Sequence, residues 1–329
     1  MGRPRNMAVS FKSLVSSVLG PRKAPASSEL FDKPDGDDCL QDCESCTVRY
    51  PRSFKIDEDD TLYGHVKGWS THVLVGTGKS DWVRDVADEK GSVMQAISKA
   101  DAPTNGKLML SASDLPTPHD THDYNEPTTV LLLPAFTLVE HVHPRNVPTL
   151  ISEIVSKAPT NDSPLAEVSL PPSLPSIGQA APALTTRACP HNAVILMCSQ
   201  RTRDARCGQS APLLKKEFER HLRPLGLYRD MHDERPGGVG IYFISHVGGH
   251  KYSANVMVYR RPNAFGQDDK SATETQGTDV GAAQCIWLAR VKPQDCENLV
   301  KYTVLKGQVV KPENQLRGGF DRVKGLTSW

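Results

Sequence analysis

Two residue pairs carry donors of the kind that hold metals. The first is Cys198 and Cys207, in Cys198-Ser-Gln-Arg-Thr-Arg-Asp-Ala-Arg-Cys207-Gly; the second is His246 and His250, in His246-Val-Gly-Gly-His250. Two thiolates and two imidazoles complete a four-ligand set for zinc or for an iron–sulfur centre. The His-x3-His spacing fits a zinc pattern, but the eight residues between the cysteines exceed the usual two to four of a zinc loop. On spacing and composition three readings stand open: structural zinc, an iron–sulfur cluster, or no metal, with a buried Cys198 and two unrelated histidines. The Gly-Gly turn between the histidines, beside two spaced cysteines, weighs against coincidence.

Such donors must be brought together by the elements that carry them. Each pair follows a β-like run, Val194–Met197 and Ile241–Ser245. The second half of the chain predicts, in order, a buried strand over Ala193–Met197 and an amphipathic helix over Pro212–Leu225. That helix has Leu213, Leu214, Phe218 and Leu222 on one face and Lys215, Lys216, Glu219 and Arg220 on the other. Strands over Val239–Ser245 and Ala254–Arg260 follow, then a long Gly-, Asp-, Thr- and Gln-rich loop over Pro262–Ala282. A strand over Cys285–Val291 and a helix from Pro293 to about Leu305 close the chain, with Pro tolerated in the first turn. This is the thioredoxin order, and it sends the cysteine and histidine loops toward each other.

The first half has a similar rhythm. His72–Val75 and Lys107–Ser111 read as strands, Ser92–Lys99 as helix, Thr128–Ala135 and Leu138–Val142 as a hairpin, and Pro148–Val155 as helix. Val139–Val142, Pro148 and Leu150-Ile151 compare with Leu288–Val291, Pro293 and Leu299-Val300, which suggests an old duplication. Gly76-Thr-Gly-Lys79, followed by Ser80, Asp81 and Trp82, stands where the second half has its cysteine loop; it lacks the first Gly and the spacing of a P-loop. Between the halves, residues 156–190 hold seven prolines among Ser, Thr and Ala, and proline lacks the donor that a helix or central strand needs. The expected organisation is therefore α/β: a basic N-terminal segment (1–30), a thioredoxin-like domain without metal ligands (31–156), a Pro-rich linker (157–190) and a second thioredoxin-like domain (191–329).

Composition narrows the class. The formal net charge of +1 offers no electrostatic case for nucleic acid. No apolar run reaches the roughly 18 residues of a membrane span, so neither a nucleic acid nor a membrane is an expected partner. Eight cysteines in 329 residues do not make a disulfide scaffold, so a reducing compartment is assumed. The first 28 residues hold five basic and no acidic side chains, with Ala8, Phe11, Val15 and Val18 near helical spacing. They are similar to a mitochondrial transit peptide, and the plainer reading is a solvated basic tail. Cys39-x3-Cys43-x2-Cys46 has ligand-like spacing but only three thiols, among acidic neighbours that raise thiol pKa values. Cys189, Cys285 and Cys296 read as packing residues, and His141-Val-His143 as a sheet-end pair.

The string Phe243-Ile-Ser-His246-Val-Gly-Gly-His250-Lys-Tyr-Ser-Ala-Asn255-Val resembles the sucrase/ferredoxin-like family, in particular a fungal branch of it. The Arg206-Cys207-Gly208 end of the cysteine loop, Gly318-Gly319, Gly76 to Lys79 with Asp81-Trp82, and Asp42-Cys43-Glu44-Ser45-Cys46 also look like that family, so the resemblance runs from about Phe31 onward. It implies a C-terminal thioredoxin-like ferredoxin domain holding a [2Fe–2S] cluster through Cys198, Cys207, His246 and His250, each pair on one iron. The "sucrase" of the family name implies no sugar chemistry, and no carboxylate pair supports any. With two ferric irons, two sulfides and two thiolates the centre would be neutral, so it should accept an electron more readily than an all-cysteine cluster. Rieske centres, which also have two histidines, span about −150 to +300 mV, against about −400 mV for plant-type ferredoxins. An imidazole ring proton would couple reduction to protonation, and the potential would fall as pH rises. Arg203 and Arg206 could donate to sulfide or attract an acidic partner; plain solvated charge is the simpler reading.

The chain ends in Leu326-Thr-Ser-Trp329, with an exposed-looking Trp. This is similar to the C-terminal tripeptide that clients present to the cytosolic iron–sulfur assembly targeting complex, although Thr327 stands where that pattern prefers an aliphatic residue. The implied location is the cytoplasm, with the mitochondrion as the alternative from the basic N-terminus. Two function classes follow: a one-electron carrier fed by a protein reductase, since no motif here binds NAD(P) or flavin, or a redox or iron sensor acting through protein contacts. Structural zinc is the third reading.

Overall fold

The computed structural model describes residues 24–176, 183–268 and 279–329. Most of the basic N-terminal segment, residues 177–182 of the Pro-rich stretch and residues 269–278 of the expected long loop lie outside the described residues. Among those described, thirteen strands make one mixed sheet with few helices: β1 (Thr71–Gly76), β2 (Leu108–Ser113), β3 (Thr128–Leu133), β4 (Thr137–Val142), β5 (Ser173–Leu174), β6 (Leu184–Ala188), β7 (Ala193–Cys198), β8 (Tyr228–Arg229), β9 (Val239–Ile244), β10 (Val256–Arg260), β11 (Gln284–Leu288), β12 (Leu316–Asp321) and β13 (Leu326–Thr327). The spatial order is β13-β12-β11-β10-β7-β9-β2-β1-β3-β4-β6-β5, with β8 beside β9.

One pairing pattern occurs twice. β1 lies parallel to β2 and antiparallel to β3, which pairs with β4. β7 lies parallel to β9 and antiparallel to β10, which pairs with β11. Each half carries a helix in its parallel crossover, Val93–Lys99 and Ala205–Leu222, and ends in an irregular helix that widens from 3-10 turns to a π turn. In the first half this is Pro144–Asn146, Val147–Thr149 and Leu150–Ile154; in the second it is Pro293–Asp295, Cys296–Asn298 and Leu299–Val304. His141 (φ 61°) and Arg290 (φ 55°) occupy matching left-handed positions before these helices. Pro144, not Pro148, is thus the counterpart of Pro293, because it is the proline that opens the helix.

The halves are not separate sheets joined by a linker. β2 and β9, each the edge of its parallel pair, close on each other at their C-terminal ends through Ser113 and Ile244. Unpaired edge strands invite pairing, and here each edge covers the other. Ser245 N–H donates to Ala112 O (2.9 Å), Asp114 N–H to Phe243 O (3.1 Å) and Ser113 Oγ to Phe243 O (2.9 Å) across the seam. The Pro-rich stretch also joins the sheet: β6 pairs with β4 and β5 with β6 at the far edge, where proline's missing donor is harmless.

Side chains alternate between faces, as a strand requires. Ala193, Ile195 and Met197 of β7 pack with Val256 and Val258 of β10 under the Ala205–Leu222 helix. Val194 and Leu196 point to the other face, where they share a core with Leu74, Leu131 and Leu133 of the first half. The sheet curls enough that His72 on β1 touches Tyr259 on β10 (Nδ1 to OH 3.0 Å), although β7, β9 and β2 lie between them. His72 is fully buried, and burial pushes its pKa down to about 3, so it stays neutral between Tyr259 and Ser111.

The seam contains one group that opposes folding at neutral pH. Asp114 accepts the Phe243 N–H at 2.7 Å, but burial raises its pKa to about 7, with Lys215 acting in the opposite direction. A carboxyl near 3.9 when unfolded and near 7 when folded binds more protons in the folded state between those values, so stability falls as pH rises from about 4 to about 7. Asp114→Asn keeps an oxygen for Phe243 and removes the charge. We expect it to add about 2 kcal/mol at pH 8 and almost nothing at pH 4, read from urea unfolding at the two pH values.

Candidate metal centre

The parallel pair β7–β9 positions the site. Cys198 ends β7 opposite Ile244, the last residue of β9, and His246 follows two residues later, so both loops leave the sheet side by side. Ligand sites in α/β sheets gather at this end of parallel strands. Cys207 enters from the Ala205–Leu222 helix, which starts seven residues before the sequence expectation and runs through Pro212. Cys207, Ser210, Ala211 and Leu214 are buried there, and tertiary packing outweighs the proline penalty. Asp204 caps the helix by accepting Arg206 N–H at 2.9 Å. Cys207 therefore sits in the first helical turn, where the backbone favours a thiolate.

Three of the four predicted ligands converge, and the fourth, His250, stands beside His246. The donor atoms of Cys198, Cys207 and His246 lie within 4.8 Å of one another. Cys198 Sγ is 3.9 Å from His246 Nδ1, and His250 Nδ1 is 3.4 Å from His246 Nε2. Both thiols are buried, while the His250 side chain is 41% exposed and closes the outer side. The thiols share a proton unequally. The bond to Cys207, and then burial, push Cys198 well up; the same bond pulls Cys207 down, with His246 and Ser253 acting in the same direction. His250 is lowered, chiefly by burial and then by His246.

The supporting residues were less visible in sequence. Gly248 (φ 93°) and Gly249 (φ 71°) both take left-handed conformations, and a Cβ on Gly249 would come within 2.7 Å of the Arg317 guanidinium. Arg317 donates to Gly248 O (3.0 Å) and Asn255 Oδ1 (2.8 Å), and stacks over Trp287 at 4.3 Å. Asn255 Nδ2 donates to Gly249 O at 2.9 Å, so one Arg–Asn pair fixes the turn between the histidines. His246 N–H donates to Gln200 Oε1 at 2.8 Å, and Cys207 Sγ lies 3.3 Å from Ser253 Oγ. No spacing rule would have picked out Arg317, which arrives from β12.

The first half braces the cysteine loop. Thr202 N–H and Oγ1 donate to the Asp81 carboxylate (3.0 and 2.9 Å), Ser199 Oγ to Ser80 O (2.6 Å) and Arg203 Nη1 to Arg84 O (3.3 Å). The segment after β1 thus packs on the segment after β7, its counterpart. Arg206 is held by Asp204 through two 2.8 Å bonds. Neither arginine is plain solvated charge. His143 accepts Arg145 N–H at 3.2 Å and caps the turn after β4.

Trp329 is not exposed. It stacks on Trp69 with ring centroids 4.2 Å apart, and Ser328, wholly buried, exchanges bonds with Gly319 (Gly319 N–H to Ser328 Oγ 2.9 Å, Ser328 N–H to Gly319 O 3.0 Å). Pairing of β13 with β12 holds the tail down. Cys189, Cys285 and Cys296 are buried with thiol pKa values pushed up by desolvation, which suits packing residues. No helix among the described residues is long and apolar enough to cross a membrane.

The sucrase/ferredoxin-like family pattern matches residues 62–318. Actin patches distal protein 1 of Saccharomyces cerevisiae is 29% identical over 83% of this chain and 82% of its own length. Altered inheritance of mitochondria protein 32 is 30% identical in Clavispora lusitaniae, over 37% of this chain and 33% of its own length. In Debaryomyces hansenii it is 32% identical, over 36% and 33%. No solved structure matches.

Proposed function

Because the chain belongs to the sucrase/ferredoxin-like family, we propose that it is a [2Fe–2S] protein that carries single electrons, with Cys198, Cys207, His246 and His250 as ligands. The observation that carries this reading is the convergence of two buried thiols with two adjacent imidazoles at the ends of β7 and β9. The donor set fits the group: two thiols and two imidazoles supply the four ligands such a centre needs, with His246 beside both thiols and His250 beside His246. The repeated strand pairing supports two thioredoxin-like units, the second being the ferredoxin unit.

When bound, the cluster supplies a one-electron acceptor and donor. The chain's own residues do the rest. The Arg317–Asn255 pair and the Asp81 brace hold both ligand loops, so little rearrangement accompanies a change of charge. His250 turns Nδ1 toward His246 and Nε2 toward Asp204 Oδ2 at 3.9 Å, so a proton held at Nε2 faces a carboxylate and the surface. His246 lines a cleft of about 420 Å³ with Lys67, Lys107, Trp69 and Arg317, a basic mouth for an acidic redox partner. The electron donor is a protein reductase, and the setting is the cytoplasm. The assembly targeting complex would take the C-terminal Trp329 once it lifts from Trp69.

The test is an ultraviolet–visible spectrum of anaerobically purified full-length protein, with iron, sulfide and zinc measured on the same sample. Visible charge-transfer bands with two irons and two sulfides per chain are expected. A colourless protein whose zinc depends on Cys207 would leave a zinc module and end the electron-transfer reading. Bands that vanish on oxidation together with a change of bound partners would instead favour a sensor.

A further inference from the structure

A second set of metal donors lies outside that centre. The Cys43 thiol, a His221 ring nitrogen and a Glu297 carboxylate oxygen all fall within 4.8 Å of one another. They come from three segments distant in sequence: the strap around residues 39–46, the last turn of the Ala205–Leu222 helix, and Cys296–Asn298. Cys43 is buried and the His221 side chain is 14% exposed, while Glu297 is at the surface.

The strap is built to hold its place. Cys43 N–H donates to Gln294 O (3.1 Å), Asn298 Nδ2 to Cys39 O (3.0 Å) and Gln41 O (2.7 Å), and Lys311 Nζ to Asp42 (3.0 Å). Cys46 shares the turn with Cys43 (Cys46 N–H to Cys43 O 3.3 Å), and its buried thiol is directed at the Val48 carbonyl (3.4 Å) and the Glu217 carboxylate. A cation already occupies the point of convergence: Arg220 Nη2 is 3.3 Å from Cys43 Sγ, 3.0 Å from His221 Nε2 and 2.8 Å from Glu217. Its side chain is 38% exposed, so it can turn outward.

We propose that Cys43, His221 and Glu297 form a Zn²⁺ site, with water completing the four-ligand set, separate from the Cys198 centre, that clamps the N-terminal strap onto the Ala205–Leu222 helix. A mixed thiolate, imidazole and carboxylate set suits zinc better than calcium or magnesium. Zinc bonds of about 2.3 Å to sulfur and about 2.0 Å to nitrogen put tetrahedral S and N ligands about 3.5 Å apart. Cys43 Sγ and His221 Nε2 stand 3.9 Å apart, so a few tenths of an ångström of closure suffices. The clamp would sit near the end of the helix opposite Cys207, fixing the element that delivers one ligand of the first centre. The inference does not rest on what that centre holds.

The experiment is zinc and iron analysis of the full chain expressed with both metals supplied. We expect about one zinc per chain, reduced about ten-fold in Cys43→Ser and His221→Gln with visible absorption retained, and kept in Cys207→Ala. Glu297 is exposed, so Glu297→Gln should fold normally and release zinc to a colorimetric chelator about ten-fold faster. Zinc below about a tenth of an equivalent overturns the proposal. So does zinc that survives Cys43→Ser and disappears in Cys207→Ala, which would put it in the Cys198 centre and defeat the cluster reading as well.

Discussion

Cys207→Ala should yield a folded, colourless chain with less than about a tenth of the wild-type iron. Cys207 is buried and is held on the first turn of a long helix, and the side-chain oxygen beside it, the neutral Ser253 hydroxyl, is a poor substitute for a thiolate. The loss of one small thiol should cost the apoprotein only about 1 kcal/mol, because Ala favours the helix and the cavity is that of a single atom. His250→Ala gives the contrast. That side chain is 41% exposed and closes the outer side of the site, so solvent or an added imidazole can reach the vacated position. We expect a labile centre with shifted visible bands and partial recovery in imidazole, measured by spectrum and iron content against time. Equal and complete loss in both variants would mean that the outer histidine is as necessary as the inner thiol; full retention in Cys207→Ala would remove the ligand assignment.

Gly319→Ala should be the most destabilising single methyl addition in the second half. Gly319 lies on β12 at φ 147°, and a Cβ there would be driven into the Cys285 carbonyl oxygen of β11, with the Phe31 ring 3.1 Å away. A backbone atom cannot swing aside as a side-chain end can. The same residue bonds Ser328 on both sides, so the clash would also loosen the tail that carries Trp329. We expect a loss of at least about 3 kcal/mol and a melting midpoint lower by roughly 5–10 °C. Gly91→Ala is the control: its φ is 75°, but nothing lies within 4 Å of the added carbon, so only the backbone preference of about 1 kcal/mol should be lost. If the two variants melt together, the close approach at Gly319 is not what requires glycine.

Residue type and local order settled much of this protein in advance. The runs His72–Val75, Ala193–Met197 and Val239–Ser245 are strands because β-branched and apolar residues in short buried stretches have few alternatives. The Cys and His spacings named Cys198, Cys207 and His246, which come together, and His250, which stands beside His246. Local pattern failed where long-range contacts decide. Pro212 gave the sequence a false helix start, since the packing that pays for a proline inside the helix comes from the sheet. The two-residue and Gly-rich strands β5, β8, β12 and β13 have no periodicity of their own and exist because a neighbouring edge supplies their hydrogen bonds. The seam between β2 and β9, the bracing of the cysteine loop by Asp81, the Arg317–Asn255 pair behind the histidines, and the folding of Trp329 onto Trp69 all join residues far apart in the chain. The sequence by itself determined which donors and which strands this chain has; the tertiary structure decided what stands beside them, because contacts between distant segments depend on how two half-sheets close on one another.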